Sequence, residues 1–86
     1  MRTTKQLSRG TKVAVRLSMH TAGARFATFH RVLVDQGIAS GEALSLVNET
    51  HWRASGSLDF LDNGLEITPR NLRIARQVVD EHFRSQ

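Results

Sequence analysis

The sequence has no cysteine, a single proline and no run of apolar residues longer than three. Without cysteine, a disulfide framework and a thiolate metal site are excluded. Without a long apolar run, the chain lacks the ~18 to 20 apolar residues that a membrane-spanning helix needs. We therefore expect a cytoplasmic protein with no membrane partner.

Patterns that carry chemistry are also scarce. The four histidines (His20, His30, His51 and His82) form no closely spaced pair, and no carboxylate completes a metal-ligand set. No nucleophile motif or phosphate-binding loop is present. A chain of 86 residues can form one small core but not a walled catalytic cavity. We expect a protein that is not an enzyme and that takes no cofactor, metal or small-molecule substrate.

Carboxylates are missing from residues 1–34, which carry seven cations and a local charge of +7. Residues 35–66 have a local charge of −5 and residues 67–86 one of +2, so the net charge of +4 hides a polarised chain. Seven cations repel one another if they cluster in space. An anionic partner, the acidic middle of the chain or a second copy would neutralise them. The alternative is a solvated basic face.

The first 34 residues predict an arm, a strand and a long helix. Residues 1–11 are polar and basic and have little to bury, which is typical of a flexible basic arm. From Lys12 to Leu17 polar and apolar residues alternate, which predicts a half-buried strand with a cationic outer face. A helix is predicted over residues 19–36, closed by Gly37, with an apolar stripe of Ala22, Phe26, Phe29 and Leu33 in the core.

The second half predicts a short helix, a hairpin and a last helix. Ser40 is a good N-cap for a helix through Val47, but residues 48–61 fit either a helix or a hairpin strand. Asn63-Gly64 between alternating residues favours a hairpin over residues 57–68, and the alternative is a helix end followed by one strand at 65–68. Thr68-Pro69 opens the last helix, whose predicted buried stripe is Leu72, Ala75, Val79 and Phe83.

Together these elements predict one small α+β domain over residues 12–86, preceded by the arm at residues 1–11. Its expected order is an N-terminal strand, two helices, a β-hairpin and a C-terminal helix. In that last helix Arg70, Arg73 and Arg76 lie near the positive end of the helix dipole, where an anionic surface would stabilise them. Arg76 and Asp80 are also spaced as an i,i+4 ion pair.

Residues 12–52 resemble the ribbon-helix-helix family of small DNA-binding repressors. The resemblance rests on the strand-like run Lys12 to Ser18, on Gly37 after a first helix, and on the run Ser40 to Leu44 opening a second. It implies a dimer whose paired strands enter the major groove, with Lys12, Ala14 and Arg16 reading bases and the helix start near Ser40 holding a phosphate. Glu42 in that helix's first turn departs from the pattern, because its charge repels a phosphate.

The function expected from the sequence is therefore that of a small basic binding module, a DNA-binding, repressor-like regulator of transcription. The alternative is an adaptor or inhibitor that docks on an acidic surface of a larger protein or nucleoprotein complex. A third alternative is a homodimer in which the basic N-terminal third of one copy meets the acidic middle of another. The residues predicted to bind the nucleic acid or other anionic partner are Arg9, Lys12, Arg16, Arg25, Arg31, Arg70 and Arg73.

Overall fold

A computed structural model describes residues 7–20, 23–55 and 64–84 of the protein. This part of the chain is built from α-helices. In chain order the helices are α1 (Arg9–Leu17), α2 (Phe26–Asp35), α3 (Ser40–Ser55) and α4 (Pro69–Arg84). No strand occurs within these described ranges. The predicted α+β class is therefore wrong, and the described part of the chain is a small all-α domain.

The predicted strand at residues 12–17 is part of α1. The side chain of Ser8 caps this helix by accepting the Thr11 N–H. Val13 and Leu17 are buried, whereas Val15 between them is 49% exposed. Positions 13 and 17 are neighbours on one side of a helix as well as on one side of a strand, so the alternation in this short segment fitted both structures.

Helix α1 packs most extensively against α4, and the two helices run antiparallel. Asp80 ties them together, because its carboxylate accepts the Gly10 N–H at 2.8 Å and the Ser8 hydroxyl at 3.1 Å. It thereby places a negative charge at the N-terminus of α1, which the helix dipole favours. The structure gives no ion pair between Asp80 and Arg76, so the predicted i,i+4 pair is not formed.

The predicted hairpin is also wrong as far as the structure describes it. Its first strand and Asn63 lie outside the described residues, and the part that is described pairs with a different segment. Leu65 forms an isolated antiparallel bridge with Ala24, with N–H···O distances of 2.8 and 2.9 Å. Gly23 and Gly64 flank this bridge with φ values of 118° and 107°, a region that glycine adopts without strain. In the described part of the chain, Leu65 thus pairs with a segment about 40 residues away rather than with a neighbouring strand.

The remaining helices differ from the predictions mainly in their bounds. Helix α2 begins at Phe26 rather than residue 19, and α3 continues to Ser55, so residues 48–55 are helical. Helix α4 begins at Pro69 as predicted, with the Asn71 N–H donated to the Thr68 hydroxyl. Helix α1 begins at Arg9, inside the stretch assigned to the basic arm, and residues 1–6 of that arm lie outside the described ranges.

The core lies where the four helices meet. Phe29 is fully buried as predicted, and Phe26 packs partly buried against the same cluster. Helix α3 adds a polar side chain, Thr50, whose hydroxyl is satisfied by the Leu46 carbonyl at 2.8 Å. The other large, fully buried side chains of the core are Val13, Leu17, Leu33, Val47 and Val79.

Truncating Val13 and Val15 tests whether this segment forms a helix or a strand. Val13→Ala removes two buried methyl groups and leaves a cavity, so we expect it to lower the free energy of unfolding by about 2 kcal/mol. Val15→Ala truncates an exposed side chain in a helix, and we expect a change of less than about 0.5 kcal/mol. Urea unfolding of both variants checks this expectation. Equal losses would contradict the helix, since a strand buries both valines.

The close approach of α1 to α4 depends on the missing side chain of Gly10. A Cβ at this position would collide with the Arg76 carbonyl oxygen and lie 2.6 Å from the Asp80 carboxylate. We expect Gly10→Ala to lower the free energy of unfolding by about 2–3 kcal/mol. Gly41 is the matched control, because it also lies in a helix but has nothing within 4 Å of an added Cβ. Gly41→Ala should stabilise by about 0.5–1 kcal/mol. Equal effects in urea unfolding would contradict the close contact.

Candidate nucleic-acid interface

Four cations lie on the exposed side of the α1–α4 pair. Lys12 and Arg16 are one helical turn apart on α1, and Arg73 and Arg76 are three residues apart on α4. All four are exposed, and none forms an ion pair or side-chain hydrogen bond within the described parts of the chain. We call these four residues the basic face.

An open groove of about 320 Å³ runs between α1 and α4, and two members of the basic face, Arg73 and Arg76, line it. Val15, next to Arg16 in sequence, lies on its α1 side, and Leu72 adds an apolar side chain from α4. Arg73 and Arg76 form its other rim. The remaining lining residues are Thr11, Ala14, Ser18 and Pro69. The groove therefore places arginine side chains beside a largely apolar surface.

A second groove, of about 520 Å³, runs along the other side of α1 against α2. Arg16, Met19 and His20 line it from the α1 side, and Thr28, Arg31 and Asp35 are among the lining residues from α2. Arg31 and Asp35 form an exposed i,i+4 ion pair at 3.3 Å. Helix α1 therefore stands as a ridge between two grooves, both of which have arginine in their walls.

The structure brings three of the seven predicted binding residues, Lys12, Arg16 and Arg73, into the basic face, while Arg31 borders the second groove. The other three lie elsewhere. Arg9 stacks on the Phe83 ring at 4.5 Å, exposed Arg25 precedes α2, and Arg70 donates to the Ala54 carbonyl at 3.1 Å and to Asn71.

Arg76 belongs to the basic face although it was not among the predicted binding residues. Its i,i+4 spacing to Asp80 indicated an ion pair. The three-residue spacing from Arg73 was the signal that pointed to a shared helix face.

The carboxylates near these helices are engaged away from the basic face. Arg53 on α3 binds Glu49 at 2.7 Å and Glu81 of α4 at 2.9 Å. The hydrogen bond that Arg53 donates to Glu81, followed by the one it donates to Glu49, raises the pKa of Arg53, and the bond accepted from Arg53 lowers the pKa of Glu81. Glu42 lies 3.4 Å from His82. These three carboxylates therefore pair with residues of α3 and α4 rather than with the basic face.

The described residues do not form a metal site. They contain no cluster of three or more His, Asp or Glu side chains that could hold a metal. None of the described helices is long and apolar enough to cross a membrane.

Comparison of the chain with known proteins finds no matching family model, no similar curated protein and no similar solved structure. The candidate site is therefore defined by its geometry and charge.

The bridge between Arg53 and Glu81 predicts a pH-dependent contribution to stability. Because folding lowers the pKa of Glu81, the bridge stabilises the protein above the ordinary glutamate pKa of about 4.3, and this stabilisation is lost as the pH falls through the folded value. We expect Glu81→Gln to lower the free energy of unfolding at pH 7 and to have no effect at pH 2. Urea unfolding at both pH values measures this.

Glu66→Gln is the control for that experiment. Glu66 is exposed and its carboxylate forms no ion pair with the described residues, so the substitution removes the same charge without removing a bridge. Equal losses for the two variants at pH 7 would show that net charge, and not the contact between α3 and α4, accounts for the effect.

Proposed function

We propose that the protein is a small non-enzymatic DNA-binding regulator that holds its nucleic acid on the basic face. The observation that carries this proposal is that Lys12 and Arg16 on α1, and Arg73 and Arg76 on the adjoining α4, are all exposed and have no carboxylate partner among the described residues. Like charges gathered in this way destabilise the free protein. A phosphate backbone relieves that repulsion and releases its own counterions on binding.

The types of side chain on this surface fit phosphate contacts. Arg73 and Arg76 each offer a planar guanidinium that can bind a phosphate through two parallel hydrogen bonds. Lys12 adds a point charge on a long stem. The hydroxyl of Thr11 lies in the same groove, and hydroxyl groups are common phosphate contacts in protein–DNA interfaces.

The proposed mechanism uses a helix in place of the ribbon that the family resemblance implied. On a strand, Lys12, Ala14 and Arg16 would share one outer side. On α1, Lys12 and Arg16 stay together one turn apart, while Ala14 is half-buried in the groove toward α4. A regulator of this kind acts by occupying DNA, which requires no catalytic group. Whether it binds as a homodimer is tested by sedimentation with and without DNA.

A second candidate function is that of an adaptor that docks on a larger protein. Leu44 and Trp52 support it, because they lie eight residues apart on α3 and are 41% and 51% exposed. Positions eight residues apart fall on one side of a helix, and exposed aromatic residues are frequent in protein interfaces. This surface lies on a different helix from the basic face, so substitutions can separate the two functions.

Charge removal on the basic face tests the proposed function. We expect the full chain to bind mixed-sequence DNA with a slope of log K against log salt near −2 to −4, as contacts of Arg73 and Arg76, or of all four basic-face residues, with phosphates predict. Arg73→Gln and Arg76→Gln should each weaken binding roughly tenfold at low salt and reduce that slope by about 1. Fluorescence anisotropy with a labelled fragment at four salt concentrations measures both quantities.

Arg84→Gln is the matched control, since it removes the same charge from an exposed position of α4. Arg84 lies two to three helical turns beyond Arg73 and Arg76 and beside Asp80, so the local charge around it is not positive. We expect less than a twofold change. Loss of binding in Arg84→Gln as large as in Arg73→Gln would contradict the placement of the interface. Absence of DNA binding at low salt would contradict the function itself.

A further inference from the structure

From the ridge that α1 forms between its two grooves, we infer that the partner is duplex DNA and that α1 enters its major groove. In this arrangement Lys12, Val15, Arg16 and Met19 face the base edges, and the two grooves beside α1 take the two phosphate backbones. The inference rests on the proposed function and assigns it a nucleic-acid class, an orientation and separate roles for individual residues.

The outer stripe of α1 has the composition of a base-reading surface. Lys12, Val15 and Arg16 follow an i, i+3, i+4 pattern, which places them on one side of α1, and Met19 follows the Ser18 C-cap of that helix. Val15 is 49% exposed and Met19 is 71% exposed, so both apolar side chains are accessible to a partner. Arginine and lysine bind guanine O6 and N7 in the major groove, and apolar side chains contact the thymine methyl group.

The size of the ridge favours duplex DNA over other nucleic acids. A helix with its side chains is about 10–12 Å across, which fits the ~12 Å major groove of B-DNA. The major groove of duplex RNA is too narrow and deep for side chains to read. Single strands are bound mainly by stacking on exposed aromatic residues. Among the described residues, no Phe or Trp side chain lines the two grooves beside α1, and Trp52 lies on α3.

The two grooves beside α1 differ in the charge of the helix that lines them opposite α1. The α4 wall has Arg73 and Arg76 without partners among the described residues. The α2 wall has Arg31, but Asp35 neutralises it at 3.3 Å and would itself face a phosphate backbone. Thr28 of α2, and His20 from the α1 side of the same groove, supply further polar groups. If α1 lies between two backbones, Asp35 therefore opposes binding, although it lies outside the basic face.

Removing Asp35 tests whether a second backbone lies along α2. We expect Asp35→Asn to tighten binding of a duplex about three- to tenfold at low salt, because it frees Arg31 and removes a like charge from the phosphate path. Glu49→Gln is the matched control: it also removes an exposed carboxylate from an i,i+4 pair with arginine, but on α3. We expect less than a twofold change from it. Thermal unfolding of both variants verifies that the fold is retained.

Base reading is tested separately with the full chain. A random duplex library should yield a preferred sequence containing guanine, and replacement of that guanine by 7-deazaguanine should weaken binding at least fivefold by removing the N7 acceptor. Arg16→Gln should abolish that discrimination and Val15→Ala should relax a neighbouring position. Arg73→Gln should weaken all sequences alike.

The outcomes separate this inference from the function on which it rests. If duplexes are retained without any sequence preference, if single strands bind as tightly, or if Asp35→Asn and Glu49→Gln behave alike, DNA binding stands and the ridge inference is overturned. If neither duplex nor single-stranded DNA is retained at low salt, both proposals fail. Capture of a stoichiometric protein partner that competes with duplex DNA for the basic face would also overturn the ridge inference.

Discussion

The contact between α1 and α4 is the interaction on which the other features depend. Gly10 lets the backbone of α1 touch that of α4, and Asp80 then binds the first turn of α1 through an amide and a hydroxyl. This contact buries Val13 and Leu17 and leaves Lys12, Val15 and Arg16 of α1 exposed to solvent. It also places the arginines of α4 beside α1, so the same packing that stabilises the fold creates the basic face and the grooves along the ridge.

Electrostatic interactions divide the molecule into two parts. On the side of α3, Arg53 binds Glu49 and bridges to Glu81 of α4. On α1, Lys12 and Arg16 form no ion pair within the described residues. Neighbouring cations repel one another. This repulsion is the physical basis of the proposal that the basic face binds an anionic partner.

Several elements could be predicted from local sequence alone. Thr68-Pro69 fixed the start of α4 because a hydroxyl cap followed by a residue with a preset φ favours a helix start in almost any context. The burial of Phe29 followed from an apolar stripe of helical period. The exposure of Lys12, Arg16 and Arg73 followed from their charge. Other elements could not be predicted, since Val13 and Leu17 satisfy two periodicities and Leu65 finds its partner, Ala24, far away in the chain.

Composition and residue order alone establish that this sequence contains no cysteine and that its charge is strongly polarised. Three other features depend on tertiary contacts: residues 12–17 are helical, Asp80 binds α1 rather than Arg76, and Arg73 and Arg76 of α4 line a groove against α1. The physical reason is that short segments have nearly equal energies as helix or strand. Contacts with distant residues, here those between α1 and α4, then select one of the two.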